Sequence, residues 1–304
     1  MSGASEPSSG LAADLAEPQR QAAAAAGPTD DFAHFERFVG FFCRLFKQPG
    51  FLDRVECKAS HKGYVPQYYA KIFTEPTGIG PRHLKWWHRL RPLLRTLPRS
   101  AVVLDYGGGY GMDSILLAAC GYRVVFYEIS PHHIAICAHF RDVWEAEMGP
   151  VDLRLMLSEP DGSDAILLNE VAHHIEPPQP LFDRCARTLQ PGGRLFLLEP
   201  NYFNPATQAF FFRVRGFKTV VHVTDERTGM TRPHGNENIR PRRSWNKLAK
   251  RAGLEPGGAF PIIPYFMRPG ASPHEPWRMR LEATPLVSAL LASHLTLEYV
   301  KRPA

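Results

Sequence analysis

The segment Val102-Val103-Leu104-Asp105-Tyr106-Gly107-Gly108-Gly109-Tyr110-Gly111-Met112-Asp113-Ser114 constrains the fold more than any other part of this chain of 304 residues. An apolar, β-branched run reaches an acid, a block of glycines follows, and small and apolar residues continue at helical spacing to Cys120. Periodicity and breakers together predict a strand, a tight turn and a helix. Glycines in such a turn accept positive φ and put no Cβ between the backbone and a ligand, so a ligand can rest on main-chain N–H groups.

The residues after this motif alternate between strand and helix patterns. Strands are predicted at 123–127, 151–157, 164–169 and 194–199, and helices at 131–148 and 180–189, the second stopped by Pro191-Gly192-Gly193. Such alternation implies right-handed crossovers and a parallel sheet covered on both faces, an α/β fold. The pattern breaks at an aromatic and polar insert, 201–241. It resumes with a helix at 243–252, a strand at 259–266, a helical stretch at 285–293 and a last strand at 295–301. Upstream, residues 1–30 are rich in Ala, Ser, Pro and Gly and read as a disordered tail. Residues 31–100 form an N-terminal helical cap, and 101–304 the ligand-binding domain. The helix from Phe32 to Phe46 carries a broad aromatic face with three readings: a cap on the core, a wall for an apolar substrate, or a membrane-surface anchor.

Composition narrows the function classes. The five cysteines are scattered, with no Cys-x-x-Cys pair, so neither a zinc site nor a disulfide framework is expected and no metal is assigned. Reduced thiols and the lack of a spanning apolar stretch point to a soluble, cytoplasmic protein. The formal net charge of +6 comes largely from arginine clusters at 82–99 and 240–251. Both clusters carry periodic apolar residues and read as solvated helix faces rather than a nucleic-acid footprint.

Two ligand classes use a Gly-rich turn after the first strand of such a sheet: dinucleotides and S-adenosylmethionine. The dinucleotide fingerprint G-x-G-x-x-G fails here, since its third glycine falls on Met112 or on Ser114. A second acid, Glu128, ends the next strand, where a carboxylate can accept both hydroxyls of a ribose.

With these residues the chain resembles the class I S-adenosylmethionine-dependent methyltransferases of the type 11 small-molecule group, over roughly residues 65 to 300. The resemblance rests on Val103-Leu104-Asp105-Tyr106-Gly107-Gly108-Gly109, on Glu128, on Asn169-Glu170-Val171-Ala172-His173-His174-Ile175-Glu176-Pro177, and on Leu189-Gln190-Pro191-Gly192-Gly193-Arg194. It implies a Rossmann-like seven-stranded sheet with a reversed final hairpin. It also implies S-adenosyl-L-methionine as cofactor, held by Asp105, Gly107, Gly108, Gly109, Glu128 and Asn169. The short link between the third and fourth strands leaves Ser158 or Glu159 in the place of the acid that recognises adenine.

Methyl transfer needs alignment above all, but a hydroxyl acceptor also needs a base, and His173 and His174 stand past the fourth strand on the rim. His173 is the preferred base, because His174 matches a histidine common in the family across different chemistries. The aromatic insert favours a small apolar or aromatic substrate, and Tyr68 or Tyr69 is placed to cover the cofactor. Nucleic-acid enzymes of this class resemble Asn/Asp-Pro-Pro-Tyr or Pro-Cys motifs, and neither occurs here. O-methylation of a small molecule is therefore the leading reading, ahead of a silent cofactor-binding module or an RNA methyltransferase.

Overall fold

The computed structural model describes residues 31–51, 54, 72–73, 79–158, 160, 162–224, 231–263, 280–281 and 284–303. The Phe-rich segment forms α1 (Asp31–Phe46) and the first Arg-rich segment forms α2 (Pro81–Thr96). The glycine motif follows as β1 (Val102–Tyr106) and α3 (Met112–Ala119). Next come β2 (Arg123–Tyr127), α4 (Pro131–Met148), β3 (Leu153–Met156) and β4 (Ser163–Asn169). A 3-10 turn (Ala172–His174) leads to α5 (Gln179–Thr188) and β5 (Leu189–Pro200). The insert holds α6 (Pro205–Arg215) and a ribbon of β6 (Val220–Thr224) and β7 (Thr231–Gly235). The chain closes with α7 (Arg242–Arg251), β8 (Leu254–Ile262), α8 (Pro285–Leu291) and β9 (His294–Lys301). The expected tail, Tyr68, Tyr69, Glu159 and the end of the strand drawn to Phe266 lie outside the described residues.

The main sheet has seven strands in the order β3-β2-β1-β4-β5-β9-β8. β3 to β5 are parallel, and β9 runs antiparallel to both β5 and β8. This is the expected Rossmann-like methyltransferase sheet with its reversed final strand. Side chains alternate across it, as a period of two requires. Val103, Val124, Phe126, Ala165 and Leu167 join the core under α1 to α4, whereas Leu104, Ile166, Leu168 and Leu195 join the core under α5 and α7. Helices therefore cover both faces, and strand order reverses between β1 and β4, where open α/β sheets bind ligands.

One expectation changes and one open reading is decided. Pro191-Gly192-Gly193 does not precede β5 but lies within it: Leu189 already pairs with Ser163, and the intervening residues bulge before Arg194 pairs with Ala165. The aromatic face of α1 resolves to the core. Phe35, Phe38, Phe41, Phe42 and Phe46 are buried, with Phe38 and Phe41 centred 5.4 and 5.0 Å from the ring of Trp144 on α4. A face already packed against α4 meets neither substrate nor membrane.

Phe42 touches the rings of Phe38, Phe41, Phe46, Phe73, Phe140 and Trp144. Phe42→Ala is expected to lower the unfolding free energy by about 3–5 kcal/mol through lost transfer energy and a residual cavity, measured by urea denaturation.

Candidate active site

The turn after β1 is shaped by what lies beneath it. Asp105 is 1% exposed, and its Oδ2 accepts the Ser114 hydroxyl at 2.6 Å, tying β1 to α3. Burial, reinforced by Asp113, pushes the Asp105 carboxyl up to about 8, with the Ser114 bond working the other way. A Cβ at Gly108 would stand 2.5 Å from that carboxylate, so only glycine fits there. At Gly111, φ is +79° and a Cβ would meet Cys137 Sγ of α4 at 2.1 Å, so glycine is required for both conformation and space. Asp105 thus supports the turn from below, whereas Gly107, Gly108, Gly109 and Asn169 line a cavity of about 1300 Å³.

Glu128 follows β2 and is almost fully buried. Its Oε2 accepts the Gly109 N–H at 3.2 Å and its Oε1 the Ser130 N–H at 3.0 Å. Ser130, His133 and Tyr110 continue the wall from there. Where a Cβ on Gly109 would stand there is open space on the cavity side, with no atom within 4 Å. The Gly-rich turn therefore offers the cavity a surface free of side chains, whereas Glu128, with both oxygens on main-chain N–H groups, stands just behind the lining rather than in it. Ser158 is exposed and does not line the cavity.

The opposite wall comes from α2. Arg82, Lys85 and Arg89 recur at helical spacing and all line the cavity, so one side of this cluster departs from the solvated face expected of it, while Arg95 remains exposed. Arg89 Nη2 donates to Asn169 Oδ1 and, at 2.8 Å, to Glu170 Oε1, because α2 lies over the residues that leave β4. Asn169 Nδ2 in turn donates to Asp113 Oδ2. Glu170 has φ +61°, a left-handed conformation uncommon outside glycine. Its carboxylate is 2.7 Å from His294 Nε2, and although burial opposes ionisation, Arg89 and His294 hold it well below the usual carboxylate range. Burial drives His294 itself down to about 4, so the neutral ring donates from Nε2 to Glu170 and accepts the Ser293 hydroxyl at Nδ1, 2.8 Å away.

The two candidate histidines sit in the 3-10 turn with different environments. His173 is 1% exposed, its Nδ1 is 2.6 Å from Glu199 Oε2, and its Nε2 is 3.4 Å from Glu237 Oε2. Burial disfavours the charged ring, but Glu199 and then Glu237 override it and push His173 up to about 10. A neutral base was expected at this position; instead His173 carries its proton at neutral pH. His174 Nδ1 is 3.0 Å from the Gly235 carbonyl, an acceptor only, so Nδ1 carries a proton and donates it there. His173, His174 and Glu237 bring one donor atom each within 4.8 Å of one another, a spacing metal ligands share; here the His173 Nε2 already faces Glu237.

Glu199 and Glu237 were not singled out from sequence. Glu199 had a legible signal, since an acid ends the apolar run Leu195-Phe196-Leu197-Leu198 as Asp105 and Glu128 follow theirs. Glu237 had none, because only the return of β7 to the 3-10 turn brings it to His173.

Comparison with known proteins agrees with this geometry. A family profile described as a methyltransferase domain matches residues 81–256, more than half of the chain. A protein of Xylella fastidiosa (strain 9a5c) named ubiquinone biosynthesis O-methyltransferase is 32% identical over 165 residues, covering 47% of this chain and 64% of the relative. One of the same name from Xanthomonas axonopodis pv. citri is 27% identical over 220 residues, covering 64% and 82%. Among solved structures, an S-adenosylmethionine-dependent methyltransferase of Methanosarcina mazei aligns with a TM-score of 0.49 at 14% identity, over 70% of this chain and 98% of that one. The chain belongs to the methyltransferase-domain family.

The His173 environment has a pH signature. Its folded pKa lies above the unfolded value near 6.5, so the stabilisation is complete below that value and is lost as pH rises toward about 10. Glu199→Gln is expected to cost about 3–5 kcal/mol near pH 6, as removal of one partner from a buried pair does. The gap to wild type should narrow by pH 10; thermal melts of both proteins across that range measure it.

Proposed function

We propose that this enzyme methylates a hydroxyl of a small aromatic molecule, with His174 taking the hydroxyl proton. The observation that carries the reading is the commitment of His174 Nδ1–H to the Gly235 carbonyl, which leaves an accepting Nε2 on a ring that lines the cavity. S-adenosylmethionine, when bound, supplies a methyl group on a sulfonium, and transfer to an acceptor in line with it gains most from alignment and from exclusion of water. Gly107, Gly108, Gly109, Glu128 and Asn169 hold the cofactor, with Asp105 keeping the turn in shape. Protonated His173, fixed between Glu199 and Glu237, sets the position of the 3-10 turn that carries His174.

Phe210 and Phe211 of α6 line the same cavity and supply an aromatic wall for the acceptor. In this reading 201–241 is the substrate insert and 31–100 the cap. The names of the Xylella and Xanthomonas relatives support oxygen as the accepting atom. Asn169-Glu170-Val171-Ala172 in place of Asn/Asp-Pro-Pro-Tyr supports a small molecule over nucleic acid. Among the described residues no helix is long and apolar enough to cross a membrane, and Cys43, Cys120, Cys137 and Cys185 are free thiols, which supports action in the cytoplasm.

The test is incubation with methyl-labelled cofactor and a panel of phenols, catechols and matched anilines, with products identified by mass spectrometry. Methyl ethers are expected; label confined to nitrogen, or no label while the demethylated cofactor still binds, refutes the reading. His174→Gln should lower kcat by roughly 100- to 10,000-fold, the usual worth of a general base, with cofactor affinity unchanged by calorimetry.

A further inference from the structure

The insert presents a surface that methyl transfer does not explain. Of the residues of α6 only Phe211 is buried, and Phe210, Phe212 and Val214 are exposed. The chain then turns at Gly216 and offers Phe217, 89% exposed and centred 4.9 Å from the ring of Phe212. It continues into the β6–β7 ribbon, which makes its own two-stranded sheet, separate from the main one, and exposes Val220 and Val223. Such a ribbon is marginal in water without something to cover a face. Large contiguous apolar surfaces are rare on proteins that meet only solvent.

The charge of this segment is predominantly positive. Between residues 202 and 236 the described residues include Arg213, Arg215, Lys218 and Arg232 and no carboxylate. Counting the whole segment, five cations face two acids. A second copy of the chain is a poor occupant, because a two-fold contact would set this cationic patch against itself. Exposed aromatic rings interleaved with arginine and lysine suit an anionic lipid surface, where rings enter the boundary of the acyl chains and cations meet phosphates.

We infer that α6 and the β6–β7 ribbon form a docking face for an anionic lipid bilayer. Phe212, Val214 and Phe217 enter the interface, and Arg213, Lys218 and Arg232 meet the headgroups. Because Phe210 and Phe211 of the same helix line the cavity, docking would place one wall of the active site beside the bilayer, within reach of an acceptor dissolved in it. The inference stands apart from the identity of the accepting atom.

The full chain is sedimented with vesicles of phosphatidylcholine alone and of phosphatidylcholine mixed with phosphatidylglycerol. Binding is expected to the mixed vesicles, to weaken as salt is raised, and to be slight on the neutral ones. Phe212→Ser combined with Phe217→Ser, and separately Arg213→Gln combined with Lys218→Gln, should each weaken binding about tenfold or more. Neither pair lines the cavity, so calorimetric affinity for S-adenosylhomocysteine should be unchanged, which also shows that the variants are folded. No binding to the mixed vesicles, or binding that both double variants retain, overturns the proposal. So does self-association of the wild type in light scattering that the Phe212→Ser, Phe217→Ser pair abolishes, since the face would then belong to a second copy.

Discussion

The carboxyl of Asp105, buried under the glycine turn and bonded to Ser114, is the contact on which the rim of the sheet depends. It joins the end of β1 to the start of α3, and the space it occupies excludes a side chain from Gly108. The backbone of the turn is thereby left bare toward the cavity. A buried carboxyl with so few polar partners is costly to ionise, and the same burial that raises its pKa is what brings the turn down onto it. That cost falls on one residue and leaves the glycines beside it facing the cavity with no side chain.

From there the rim is organised by acids at the C-terminal ends of parallel strands, each satisfied in a different way. Glu128 accepts main-chain N–H groups, Glu170 is held by Arg89 and His294, and Glu199 takes both the Ala172 N–H and the ring of His173. Parallel strands direct their C-terminal ends to one side of the sheet, so polar residues there share one crevice. The cationic side of α2 and the doubly flanked His173 balance the negative charge collected there. His174, one residue further on, bonds a neutral carbonyl instead, and so two adjacent histidines have partners of different charge.

Much of this was legible in the chain. The strand, the glycine turn and the helix were readable because a turn this tight leaves few residue types possible, and the alternating pattern after it admits few topologies. Asp105, Glu128 and Asn169 were legible as strand-end polar residues. Glu199 followed the same rule and was passed over, since it stands in no motif. Two segments left open or misread have a common cause. The aromatic face of α1 and the arginines of α2 have the same periodicity whether they face core, cavity or water, and periodicity reports a face without reporting its neighbour.

The sequence by itself determined the sheet, the turn and the class of cofactor, because these follow from local conformational limits and from the order of elements. Only the tertiary structure decided what each histidine bonds, since that depends on Glu199, Glu237 and Gly235, which lie 26 to 64 positions away along the chain. It alone also decided that the rings of α1 are buried while Phe210 and Phe212 of α6 are exposed. Both segments are rich in phenylalanine, and what separates them is only whether another helix lies against them.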